Sequence, residues 1–193
     1  MQNSHHMKKL LVVVVVVFAP LMVYSQNDLQ KAMEYPVIKG HKYAGVIPIS
    51  NVDEVPDPTI EYKIVINATG HSKDSSKVNW VIYNIGRYFN LHVAAGIPKE
   101  NIEIVVAVHA WAFDSFLKNE AYRSEFEIDN PNLAIISELK NAGVRFLVCF
   151  QTLANSGYSK ELLVPEAVLT LTAQTTLTSY QMKGYALLEM HDN

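Results

Sequence analysis

The sequence predicts an α/β fold of three layers, with helices on both faces of a mostly parallel five-stranded sheet. Two observations carry this expectation. Short β-branched runs alternate with helical patterns along the chain, which is the order that parallel strand-helix-strand units produce. The runs are also apolar at consecutive positions rather than every second one, as suits a sheet covered on both faces. Residues 62–67, 102–109, 144–149, 168–172 and 185–189 are the five expected strands.

Between them, Val78, Ile82, Ile85, Phe89 and Val93 recur at three- and four-residue spacing and predict a helix that Gly96 ends. Asn130-Pro131 offers an N-cap followed by a proline at the first helical position, Leu133, Ile136 and Leu139 form one stripe, and Gly143 closes it. Residues 111–122 and 173–183 are further expected helices, the second diluted by Thr and Ser and stopped by Gly184. Residues 150–158 read as a loop. Upstream, Pro36, Pro48, Pro56 and Pro58 interrupt residues 26–59 without any sustained period, which predicts an extended arm packed over the core. The expected organisation is therefore a leader over 1–25, an arm over 26–60 and an α/β domain over 61–193.

The composition fits one globular domain: 193 residues, 49% hydrophobic and 18% charged. Sixteen Lys and Arg against 19 Asp and Glu give a net charge of -3, with no basic excess to neutralise a phosphate backbone, so no nucleic-acid partner is expected. Lys8-Lys9 precedes an apolar run from Leu10 to Met22, and Val23 and Ser25 are small enough for the cleavage site of a signal peptidase. The run is about 13 residues, short of the roughly 20 that span a bilayer, so it predicts cleavage after Ser25 and no stable membrane anchor. Met7 is the natural start on this reading, with Met1–His6 an upstream extension. The product is expected to be secreted, into a periplasm where there are two membranes. In that oxidising setting the lone Cys149 cannot form an intramolecular disulfide.

Ligands in open α/β sheets gather at the carboxyl ends of the strands, which directs attention to Asn67, Thr69, His109 and the segment Cys149, Phe150, Gln151, Thr152. Cys149 stands where the third strand gives way, and His109 occupies the same place on the second. If those strands are neighbours, imidazole and sulfur approach each other, and a neighbouring imidazole or a following helical turn would favour the nucleophilic thiolate. The same residues also admit a plainer reading, with Cys149 a buried apolar filler and His109 a hydrogen-bonded packing residue. His41, His71 and His92 lie apart, and no pair has metal-ligand spacing. Serine-hydrolase elbow, dinucleotide and phosphate loops and zinc-protease motifs are absent, so neither cofactor nor metal is expected. Asn67-Ala68-Thr69 matches a glycosylation sequon, but at the end of a strand expected to be buried it carries no such role.

Gly143-Val144 with Cys149, then Ala154 and Gly157, resembles the DsrE/DsrF-like family of sulfur-relay proteins, and its exported branch most of all. The resemblance extends through residues 87–96, Val105 to Ala110 with His109, residues 129–133 and 149–152, and includes residues 43–48 of the arm. It implies a YchN-like α/β/α domain with the second and third strands side by side, and assembly as a trimer or hexamer. It also implies that Cys149 carries sulfur as a persulfide, taken from a donor protein or a small sulfane-sulfur species and passed to an acceptor, with His109 holding the thiolate or moving its proton. Asn67, Thr69, Phe150, Gln151 and Thr152 would line the pocket. The alternatives are a non-catalytic ligand-binding or assembly module with a structural cysteine, and a thiol sensor that forms mixed disulfides.

Overall fold

The five β-branched runs form five strands that all run parallel: β1 (Tyr62–Ala68), β2 (Ile102–Val108), β3 (Arg145–Cys149), β4 (Ala167–Thr170) and β5 (Ala186–Met190). The computed structural model describes residues 31–48 and 50–191, so the expected leader lies outside the described residues. Strand order across the sheet is β4-β3-β2-β1-β5, which sets the second and third strands side by side. The helices are α1 (Trp80–Ala94), α2 (Asn119–Phe126), α3 (Leu133–Asn141), α4 (Phe150–Ser156) and α5 (Ala173–Met182).

Alternation of side chains along each strand divides the core in two. Ile64, Ile66, Ile104, Val106, Phe146 and Val148 join α1, α2 and α3 in the larger cluster. Val65, Val105 and Leu147 face the other way and pack beneath Tyr180 of α5. Those two layers around the sheet give the three-layer architecture. The central strand β2 is buried at every position but Glu103. Coverage is incomplete at the margins, because α5 alone spans its face: Val168 on β4 is 49% exposed and Leu187 on β5 is 37% exposed.

Three boundaries differ from expectation. The helix expected from Asn130-Pro131 begins later, with Asn132 as its N-cap. Asn130 is claimed elsewhere: its amide donates to the carbonyls of Ser115 (2.9 Å) and Leu117 (2.6 Å) while its Oδ1 accepts from the Asn132 amide at 2.9 Å, an Asx turn rather than a cap. The helix expected over 111–122 is split into a 3-10 segment, Ala110–Phe116, and α2. Between them Leu117 bridges Leu163, and Lys118 donates its backbone N–H to Leu162 at 2.8 Å, pulling the chain extended. The loop expected over 150–158 is mostly helix α4, held by the buried Leu153 and ended by Gly157 in the left-handed region at φ 75°.

Arm residues Ile38, Ala44 and Val46 are buried, the first two in the larger core cluster. One side chain holds them there. The buried Asn90 of α1 accepts from the amides of Val37 (3.0 Å) and Ile38 (2.9 Å) and donates to the carbonyls of Ile38 (2.8 Å) and Ala44 (2.9 Å). Gly86, one turn earlier, leaves the space Ile38 fills: a Cβ there would lie 2.9 Å from the Ile38 side chain. The Glu138 carboxylate of α3 takes the amides of Lys39 (2.6 Å) and Gly40 (2.7 Å). Replacing Asn90 by Leu strands two amides and two carbonyls, and buried polar groups left unpaired cost about 1–3 kcal/mol each. Asn90→Leu is expected to lower stability in urea by at least about 2 kcal/mol and to speed tryptic cleavage at Lys39 and Lys42.

Candidate active site

Strands β1, β2 and β3 finish level, since Val108 pairs with Ala68 on one side and with Val148 on the other. Their ends therefore deliver residues to one carboxyl edge. Cys149 closes β3 on the same face as Ala107, where it packs against Ala173, the first residue of α5. It is also the N-cap residue of α4. The sulfur thus lies between the starts of two helices, where backbone N–H groups have no partner within their own helix.

Burial, with only 3% of the residue exposed, pushes the Cys149 thiol up. The backbone amides of Thr152 and Ala173, the Thr152 hydroxyl and the Gln151 amide oppose it, and together they hold the thiol below its ordinary value. No one of them closes a full capping bond on the sulfur; they act as a set of surrounding donors. Thr152 Oγ1 accepts the Ala110 amide at 3.4 Å, which leaves its own proton for the sulfur.

His109 reaches the same edge, yet no hydrogen bond joins it to Cys149. Its Nε2 lies 2.7 Å from Asn67 Oδ1, and Asn67 Nδ2 donates to Glu189 Oε2 at 2.7 Å. With the amide oriented by the carboxylate, Oδ1 is an acceptor, so Nε2 carries the proton and Nδ1 the lone pair. Burial lowers the His109 pKa, the Glu189 charge opposing it, so the ring is neutral at pH 7. Protonating it costs stability; that contribution is complete above about 6.5 and lost as pH falls through the lower folded value.

Among the other expected pocket residues, Thr69 donates its backbone N–H to the Met190 carbonyl at 3.0 Å and serves to join β1 to β5. Phe150 and Gln151 are exposed. Thr152 does line a cleft, of about 610 Å³, together with Ala110, Trp111, Phe113, Asp114 and Tyr158. Sequence reasoning missed Trp111 and Asp114 by placing them in a helix; the signal available was their position directly after His109 at a strand end. Burial and the Glu125 charge push the Asp114 carboxyl up, with His71 opposing. Among the described residues, no three His, Cys, Asp or Glu side chains group as metal ligands.

A model of the DsrE/DsrF-like family matches residues 61–190. The chain belongs to the DsrE/DsrF-like family. Among solved structures, this DsrE-like chain is similar to a protein of unknown function from Methanobacterium thermoautotrophicum, at 22% identity and a TM-score of 0.49, covering 67% of this chain and 99% of that one. No functionally curated protein matches it. In the DsrE-like domain the family-resembling stretches fall on α1, on the entry to α3 and on the turn from β3 into α4.

Cys149 is the only cysteine, so every thiol signal of this DsrE-like protein belongs to it. The rate of alkylation by iodoacetamide against pH is expected to inflect at a lower pH in the native protein than in the urea-unfolded chain. Thr152→Val, which removes one donor to the thiolate, is expected to move that inflection upward while leaving the thermal unfolding midpoint nearly unchanged.

Proposed function

We propose that the protein accepts sulfane sulfur on Cys149 and passes it on as a persulfide. The observation that carries this reading is the sulfur's position at the carboxyl edge, faced by amides from the starts of α4 and α5, in a chain of the DsrE/DsrF-like family. The Cys149 thiolate attacks the outer sulfur of a donor persulfide, R–S–SH; a new S–S bond forms at Cys149, the donor S–S bond breaks, and R–S⁻ leaves. An acceptor thiolate then takes the outer sulfur and restores the Cys149 thiolate, with no net oxidation in either step. His109, neutral and steadied by Asn67, supplies Nδ1 as the base at this edge.

The rival reading is a binding or assembly module in which Cys149 is an apolar filler, and the burial of Cys149 against Ala107 and Ala173 supports it. Intact mass after exposure to polysulfide separates the two. The relay reading expects a gain of about 32 Da, reversed by reductant and absent in Cys149→Ser; the filler reading expects no gain until the protein is unfolded.

The proposal extends to export and to self-association. Lys8-Lys9 and the apolar run after it support a cleaved leader, so the N-terminus of the protein recovered from cells is expected at Gln26. Val168 and Leu187, exposed on the face that α5 only partly covers, support docking of further copies as a trimer or hexamer. Val168→Glu together with Leu187→Glu is expected to shift the mass measured by light scattering to that of a monomer, and an unchanged mass would remove this face from the assembly.

A further inference from the structure

A second cleft, of about 800 Å³, opens between the arm and α1 and shares none of the residues around Cys149. Its size is within the range of about 300–1,000 Å³ typical of small-molecule sites. One wall is a cluster of rings. His41 of the arm stacks on Tyr83 of α1, with ring centroids 4.7 Å apart and planes 12° from parallel, and Tyr43 leans on both at 5.4 and 5.3 Å. Burial and the neighbouring Lys42 lower the His41 pKa, so a neutral ring is presented at pH 7.

The charged residues of the lining are mostly basic. Lys42, Lys73 and Lys77 face a single acid, Asp74. That acid is already engaged: its carboxylate pairs with Lys77 at 2.7 Å and accepts the Ser76 hydroxyl at 2.6 Å and the Ser76 amide at 3.0 Å. Lys73 forms no ion pair among the described residues, and Lys42 lies 4.8 Å above the Tyr43 ring. The chain as a whole carries -3, so this local positive excess runs against its composition.

We infer that this cleft is a binding site for a small planar aromatic anion, its ring against the His41–Tyr83 stack and its anionic group toward Lys42 and Lys73, the two lysines of the lining outside the Asp74 pair. Stacking surface selects a flat ring, because aromatic pairs gain from offset contact beyond the area they bury. The lysines select an anion by charge-assisted hydrogen bonds. The arm is part of the site, since His41 and Tyr43 belong to it, and the Asn90 latch sets where they stand. The inference stands apart from sulfur chemistry at Cys149 and survives or fails independently of it.

The test uses naphthoate as the aromatic anion and naphthylmethylammonium as its cationic counterpart. The readout is the indole N–H NMR signal of Trp80, which lines the cleft and becomes the only tryptophan in a Trp111→Phe background. Naphthoate is expected to shift that signal saturably, and the cation to bind at least about tenfold more weakly. Tyr83→Ala is expected to weaken naphthoate about five- to tenfold. Lys42→Gln with Lys73→Gln, both at exposed positions outside the Asp74 pair, is expected to weaken it about tenfold. Equal affinity for the two probes, an unchanged affinity in the lysine double variant, or no saturable shift with naphthoate overturns the inference.

Discussion

Parallel pairing of β1, β2 and β3 in level register is the constraint on which the molecule's chemistry depends. Parallel strands cannot be joined by tight hairpins, so every connection must cross a face of the sheet and every strand must end at the same edge. That requirement covers both faces with helices. It also gathers Asn67, His109 and Cys149 from positions scattered through the chain. Side-chain alternation then decides their surroundings, since odd-numbered Ala107 and Cys149 fall on the α5 face while Val108 and Val148 enter the larger core.

Loops at this edge need a rigid frame, and buried asparagines supply it. Asn79 caps α1 by accepting the Val81 amide at 2.9 Å and donates to the Gly70 carbonyl just after β1. Its own amide donates to Asn132 at 2.7 Å, and Asn132 in turn donates to Asn130, which holds the carbonyls of Ser115 and Leu117. One buried chain of hydrogen bonds therefore links the exits of β1 and β2 to the first turns of α1 and α3. Every buried side-chain polar atom among the described residues has a partner. Such a network specifies one arrangement of the loops, because any slip strands a donor or acceptor in a dry environment.

The strands were legible in the sequence because burial on both faces leaves an uninterrupted apolar run, and the adjacency of β2 and β3 was expected from family resemblance rather than from the runs themselves. Helix α4 was not legible: apart from Phe150 its apolar content is Leu153 and Ala154, and Ser, Asn and Gly around them read as loop. The arm's attachment was hidden for a different reason. Asn90 looks like an ordinary polar residue beside an apolar stripe, and only the folded chain shows one amide side chain satisfying four backbone groups more than 40 positions away. The pairing of His109 with Asn67 likewise required the register of β1 and β2, and it replaces the direct contact with Cys149 that adjacency alone suggested.

Cys149 combines two properties that usually exclude each other. Burial against Ala107 and Ala173 disfavours a charged sulfur, whereas the donors at the starts of α4 and α5 favour it, and their sum lowers the pKa. A fold that activates its thiol differs from one that merely hides it in how reactivity responds to unfolding. The most direct measurement is the rate at which polysulfide adds to Cys149 at pH 7 in the native protein and in the urea-unfolded chain. Faster addition to the native protein is the predicted result, since unfolding removes the amide donors; addition only after unfolding would contradict a sulfur-accepting role and leave Cys149 as part of the core.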